Sequence, residues 1–274
     1  MDLNEMLHYA FIQRALIAGS FIAVLCAVLG VLLVLRRLSL IGDGLAHVAF
    51  GSVALGLVLR VSPLYASIPL VTASSLGILK LMEKARIYGD AAVGIVSSLG
   101  IAGGVLLASM AGGFNVDLFS YLFGNILSIS LGDVITSIAV SSIVLLVVYF
   151  YYHDILSLTF DEEFAKASGI NAARINSIIV MLTAVTVVLT MKIVGVMLTS
   201  ALLILPAVTA FQVARGFGKA IVIASAVSLF SVFAGIILSF SMNLPAGASI
   251  VIVNFLLFAF MFACRGIRST VKKQ

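Results

Sequence analysis

The chain has 274 residues, a formal net charge of +5, and side chains that are 62% hydrophobic and only 10% charged. A soluble domain carries about 25% charged residues, and a mean hydropathy of +1.26 leaves more apolar side chain than a water-soluble core could hide. A water-soluble fold is excluded, and the basic residues, scattered through short loops, offer no phosphate-binding face for nucleic acid.

The first residues include Asp2 and Glu5, where a cleaved signal needs positive charge, so no signal peptide is expected. Leu3, Met6, Leu7, Ala10 and Phe11 recur at helical spacing and should lie along the membrane interface before the chain inserts. A helix crosses the hydrocarbon with about 20 residues, or fewer where polar flanks snorkel. The expected spans are therefore residues 15–35, 45–59, 64–79, 91–111, 134–152, 177–191, 193–214, 220–240 and 248–264. Several are short or broken by glycine or proline, which at membrane depth persists only against protein or a water-filled cavity. Residues 118–130 (LFSYLFGNILSIS) are shorter, carry Asn125, and read as an outer-surface or re-entrant helix. The fold class is all-α, a polytopic transmembrane bundle of eight or nine spans forming one domain over residues 1–274. The count depends on how residues 177–214 divide.

Positive charge sets the orientation. Arg36, Arg37, Lys80, Lys84, Arg86, Lys166, Arg174, Arg215, Lys219, Arg265, Arg268, Lys272 and Lys273 fall in five segments. Placing those segments inside leaves only Arg14, Arg60 and Lys192 of the 16 basic residues outside. The N-terminus is then outside and the C-terminus cytoplasmic.

Small residues form two stripes in the fourth span, Gly94/Ser98/Ala102 and Gly100/Gly104/Ala108, and both read as helix-packing faces. Cys26 and Cys264 show no metal-ligand spacing and are expected to pack. Asp43 and His47 stand four apart on one helix face that Gly51 continues. On spacing alone they are either a carboxylate–imidazole pair suited to a divalent transition metal, or a helix cap and an interfacial histidine. In TFDEEFAKASGIN, Thr159 and Glu162 have capping-box spacing, and Asp161, Glu162 and Glu163 suit the positive end of a helix dipole. Gly169 supplies a stop. The short helix should stack Phe160 on Phe164, and two exposed aromatics ask for a partner or for cover from the membrane domain. In GVMLTSALLILPAVTA, Pro206 removes the bond to the Leu202 carbonyl. Thr199, Ser200 and Thr209 could then satisfy freed groups or line a path, and a structural kink and a gate both fit. Asn254 is expected to hydrogen-bond between helices. GFGK near residue 216 is not a phosphate loop, and neither a zinc-protease nor a nucleophile-elbow motif occurs. The chain is not expected to be an enzyme or to hydrolyse ATP.

Four stretches together resemble the permease family of bacterial ABC importers for zinc, manganese and iron. They are FIQRALIAGSFIAVLCAVLGVLLVLRRLSLIGDGLAH, YLFGNIL, FDEEFAKASGIN and VGVMLTSALLILPAVTA, in order across residues 11–210, with LPAG…IV at 244–251 extending the match. The resemblance implies a type II importer-like permease in the bacterial cytoplasmic membrane, working as a symmetric pair on two ATP-binding cassette ATPase subunits. An extracytoplasmic metal-binding protein would deliver the ion. FDEEFAKASGIN, with Phe160 to Phe164 and Gly169, would be the coupling helix that enters the ATPase. Asp43 and His47 match the family's Gly-Asp-x-x-x-His motif and would handle the ion, with Gly51, Thr199, Ser200, Pro206 and Thr209 along the pathway or gate. No permanently bound cofactor is implied; zinc or manganese, or else iron, would be cargo. The chain departs from the usual family residues at Gly44, Ala46, Gly51 and Ser52, and has LPAGA near its end. Without a hydroxyl, Ala46 cannot be a ligand. A permease for siderophore or cobalamin chelates, or an ion-coupled carrier, are the alternatives.

Overall fold

Inside hydrocarbon every backbone N–H and C=O must find its partner within the chain, and a helix does this segment by segment. The computed structural model describes residues 8–85, 87–110, 113 and 116–271. Leu3, Met6 and Leu7 of the expected interfacial segment lie outside the described residues, as do Arg86, Lys272 and Lys273, whereas Ala10 and Phe11 open the first helix. The helices are α1 (Ala10–Leu35), α2 (Ser39–Val58), α3 (Pro63–Lys84), α4 (Gly89–Met110), α5 (Val116–Phe123), α6 (Leu131–Phe150), α7 (Tyr152–Phe160), α8 (Glu162–Ala167), α9 (Ala172–Thr190), α10 (Thr199–Phe211), α11 (Phe217–Met242) and α12 (Ala246–Val271). Short 3₁₀ turns, Ile126–Ser128 and Val196–Leu198, follow α5 and precede α10.

Eight of these helices are long and apolar enough to cross a membrane. The expected seventh span is not among them. Met191 to Gly195 leave the helix, and the apolar stretch Val196–Phe211 that follows is shorter. Contacts nonetheless place its two ends at opposite ends of the bundle. At one end the Asn125 amide donates to the Lys192 carbonyl, at 3.2 Å, and Tyr9 and Phe11 meet Phe240. At the other, Phe211 and Ala214 pack with Val34 and Leu35, and Arg265 donates to the Gln212 side chain. Counting α10, the described residues pass from end to end nine times.

The centre is α1, wrapped by α6, α10 and α11, with α2 beside it under α3 and α4. Both central helices are 72% buried across their hydrophobic window, against 22% for α4 and α12. The outer helices turn Leu99, Leu106, Tyr149, Phe230 and Phe260 outward, as lipid-facing surfaces should.

Glycines set the closest crossings. A Cβ at Gly100 would lie 2.8 Å from the Val48 backbone, and one at Gly51 2.7 Å from the Gly100 carbonyl. The Gly100/Gly104/Ala108 stripe therefore seats α4 on α2 as expected. The other stripe, Gly94/Ser98/Ala102, is exposed on the outer face of α4, and a Cβ at Gly94 would meet nothing within 4 Å. Where YLFGN meets VGVM, Gly124 and Gly195 cross backbone to backbone, with φ +77° and +94°. Both positions need the left-handed region and the missing Cβ. Lys192, an expected exception to the charge bias, is neutralised there by Asp133 at 2.6 Å, and Asp133 shares a capping box with Ser130.

Gly100→Val should therefore lower the thermal midpoint of the detergent-purified chain, by an overpacking cost of about 1–3 kcal/mol. Gly103→Val, whose Cβ meets nothing within 4 Å, should melt close to wild type. Equal melting of the two variants would show that α2 and α4 do not approach this closely.

Candidate functional site

The helix carrying the candidate ion ligands starts at Ser39, six residues before the expected 45, because the chain turns within three residues of α1. Arg37 takes the left-handed region, φ +57°, and the Leu38 amide donates back to the Leu33 carbonyl at 2.8 Å. Leu38 is the N-cap, without a side-chain bond. Asp43 is thus inside α2 and caps nothing, which removes half of the structural alternative for the pair.

Asp43 Oδ2 and His47 Nε2 lie 3.6 Å apart, their side chains 48% and 24% exposed. That separation is too long for a hydrogen bond and close enough for both atoms to reach one cation. The other imidazole nitrogen, Nδ1, is buried and has no hydrogen-bond partner. Among the described residues no three His, Cys, Asp or Glu side chains gather in one place. The described residues therefore place one nitrogen and one oxygen, candidate ligands, side by side, without a closed metal site. Gly51 continues the face and seats the α4 backbone.

The turn before α2 holds a residue that sequence reasoning passed over. Arg36 Nη2 donates to Asn176 Oδ1 of α9 at 2.6 Å, while its Nη1 is buried without a partner. Burial pulls this guanidinium below its ordinary range, and the Glu162 carboxylate opposes the shift. The α1–α2 corner is thereby tied to α9 and lies in the field of α8. The sequence signal is the Arg36–Arg37 pair, whose charge reads only as membrane orientation.

α8 is a six-residue helix between α7 and α9. The expected cap is displaced by two residues. Thr159 sits inside α7 and donates to the Ile155 carbonyl at 2.6 Å, whereas Asp161 is extended and accepts from the Phe164 amide at 2.9 Å. The break at Asp161 puts Phe160 and Phe164 on different helices, so they do not stack within one. Both rings face outward, 70% and 64% exposed, and neither folds back onto the membrane helices. Ala165 is fully buried beneath them, Glu162 pairs with Lys166 at 2.7 Å and raises the affinity of the ammonium for its proton, and Gly169, φ +87°, ends the segment.

In α10 the hydroxyls are turned onto their own helix. Thr199 donates to the Gly195 carbonyl and Thr209 to the Leu205 carbonyl, at 2.8 and 2.7 Å, and both are fully buried. Neither bonds the Leu202 carbonyl freed by Pro206. Pro206 is buried, Ser200 is half-buried, and Gly30 of α1 packs against the Leu203 carbonyl beside the proline. Asn254 is buried on α12 with both side-chain polar atoms unpartnered, so the expected interhelical bond is not made among the described residues.

Residues 8–265 match the ABC 3 transport family. The chain belongs to that family. Among its relatives is the manganese transport system membrane protein MntC of Listeria monocytogenes, 33% identical over 95% of this chain and 94% of that one. The high-affinity zinc uptake system membrane protein ZnuB of Haemophilus influenzae is 34% identical over 89% and 94%. The solved structure of PsaBC from Streptococcus pneumoniae in complex with Fab superposes with a TM-score of 0.83 at 30% identity, covering 95% of this chain and 94% of that chain. This ABC 3 family member is a multi-pass membrane protein of the importer-permease fold, with the candidate pair Asp43 and His47 on α2 and the exposed Phe160 and Phe164 of α7 and α8 at the bundle end that also holds Arg36.

The cap makes α8 testable by itself. Asp161→Ala should speed amide exchange at Phe164 about fivefold, the equivalent of about 1 kcal/mol, with α1 and α2 amides unchanged. Asp161→Ser should restore protection. Unaltered exchange in Asp161→Ala would mean that α8 is held by other contacts.

Proposed function

We propose that the chain is the permease subunit of an ATP-binding cassette importer that carries a divalent transition metal, zinc or manganese, or else iron, by alternating access. The observation that carries the reading is the convergent carboxylate and imidazole of Asp43 and His47 on a central helix of an ABC 3 chain. Ligands of this kind suit a bare first-row cation, whereas a siderophore or cobalamin chelate brings its own ligands and needs a larger cavity. The membrane components of manganese and zinc transport systems among its relatives support metal cargo, and an ion-coupled carrier is not favoured.

Residues 1–274 form one permease domain in this reading. Its energy comes from a separate ATPase, met by Phe160, Asp161, Glu162, Glu163, Phe164 and Gly169 of the coupling helix. The basic ends of the helices, α8 among them, face the cytoplasm of a bacterium, which leaves Tyr9 and the Gly124–Gly195 crossing outside. An extracytoplasmic metal-binding protein loads the ion from that side. A second copy of the chain completes the path. By helical spacing the exposed stripe Gly94/Ser98/Ala102 lies on the same flank of the α2–α4 contact as Asp43 and His47. Two copies meeting there would bring two nitrogens and two oxygens to one ion, enough for tetrahedral zinc or part of a manganese sphere. No cofactor is held permanently. The gate is assigned to the broken helix α10, where Pro206 sets the bend and Thr199 and Thr209 shape its packing, with Ser200 the more accessible hydroxyl.

Two experiments separate these parts. Asp43→Asn keeps shape and removes charge, and His47→Ala removes the nitrogen ligand; each should abolish metal uptake by the reconstituted complex while ATP hydrolysis and dimer assembly persist. Wild-type uptake by both variants would leave the pair without a role in the path. Phe164→Ala removes an exposed aromatic anchor worth more than about 2 kcal/mol at an interface hot spot, and should release the ATPase subunit from the detergent-purified complex. Retention of the ATPase at wild-type stoichiometry would contradict docking through α8.

A further inference from the structure

A lateral groove of about 690 Å³ runs over α2 between α3 and α4. It exists because side chains are missing: a Cβ at Gly77 or Gly103 would meet nothing within 4 Å. Leu55, Leu70 and Leu99 supply its walls, and Lys80 and Lys84 stand at one end, one helical turn apart. Both lysines are exposed, and neither has an ion-pair partner among the described residues. Glu83, between them, is not part of the lining.

We propose that this groove binds an anionic phospholipid, with an acyl chain along the α3–α4 cleft and the phosphate headgroup on Lys80 and Lys84. The dimensions agree. Leu70 and Lys80 are ten residues apart on α3, about 15 Å at helical rise, which is the depth of one leaflet of a hydrocarbon core about 30 Å thick. Lys80 lies one turn inside the end of α3, and its stem lets the ammonium reach the headgroup layer. The charges sit at the same end as Arg36 and α8, so the lipid comes from the cytoplasmic leaflet, where anionic headgroups attract lysines.

The groove suits neither of the other occupants. No carboxylate or imidazole lines it, so it gives a divalent cation no ligand. It also lies away from the flank assigned to the second copy. On α4, helical spacing sets Gly94 and Ser98 across the helix from Gly103 and Leu107 of the groove, with Leu99 next to Ala102 on the outer face between them. On α2, Asp43 and His47 fall beside that stripe while Leu55 faces the groove. The inference needs only that the chain spans a membrane, so its failure would leave the importer reading intact.

The test is native mass spectrometry of the full chain, purified in detergent and re-lipidated with equimolar dioleoyl phosphatidylglycerol and dioleoyl phosphatidylcholine. The wild type should retain phosphatidylglycerol in preference. Lys80→Gln and Lys84→Gln should each weaken that preference about fivefold. Gly77→Leu, which fills open space without a clash, should expel the lipid while the oligomeric state and thermal midpoint stay as in the wild type. Equal retention of the two lipids by the wild type overturns the proposal. So does a Gly77→Leu variant that keeps its lipid, or one that loses the dimer, which would make the groove a protein interface.

Discussion

Two apolar helices in lipid gain little by exchanging acyl chains for each other, so the bundle depends on how closely their backbones can approach. In this chain the approach is made at a few glycines. Gly30 admits the Leu203 carbonyl of α10 to α1, Gly100 and Gly51 let α4 lie on α2, Gly235 takes the Ile250 backbone, and Gly247 receives the Val194 carbonyl. Most of these contacts join a helix to a central one or brace the broken segment before α10, and Gly235 joins α11 to α12. Without them the 13-residue α10 would have too little surface to hold its place.

The same contacts locate the function. α2 is gripped by α4 along Gly44, Val48 and Gly51 and pinned to α3 by the Ser52 and Ser67 hydroxyls, 2.6 Å apart. Asp43 and His47 therefore project from a helix that cannot roll without breaking a backbone contact. Its lower end is the Arg37 turn, where Arg36 is bonded to Asn176. α9 leads directly from α8, so in the proposed reading a push on the exposed Phe160 and Phe164 would have a short route to the turn that carries α2. A route made of packed helices and one guanidinium transmits displacement, because neither compresses.

Most of the architecture was legible because membrane insertion makes sequence speak plainly. Long apolar runs gave the spans, and the family motifs lie where backbones cross: Gly124 of YLFGN against Gly195 of VGVM. The misreadings have a common cause. Helix ends here are set by tertiary contacts that local patterns do not encode. α2 begins at Ser39 because of the Arg37 turn, and Asp161, not Thr159, caps α8 because α7 runs on to Phe160. Small residues were equally ambiguous. Gly100/Gly104/Ala108 and Gly94/Ser98/Ala102 have the same spacing, yet one is buried on α2 and the other open, a difference decided by where α2 lies. Arg36 was missed because the charge rule that orients a membrane protein treats every arginine alike.

The candidate ion site has a second feature that bears on transport. A histidine that holds a metal firmly usually donates its other ring nitrogen to a carboxylate or carbonyl, which fixes the ring and strengthens the ligand. His47 Nδ1 has no such partner, and Asp43 stands too far from Nε2 to lock the ring by a hydrogen bond. The imidazole is thus aimed by packing alone. A storage or structural site built this way would be poor. A conducting site must bind strongly enough to admit the ion and weakly enough to release it. A loosely held nitrogen beside a half-exposed carboxylate meets both conditions. In the proposed dimer, with two ligands from each chain, the site would close only when two copies face each other, so separating or rotating them would open the coordination sphere and let the ion go.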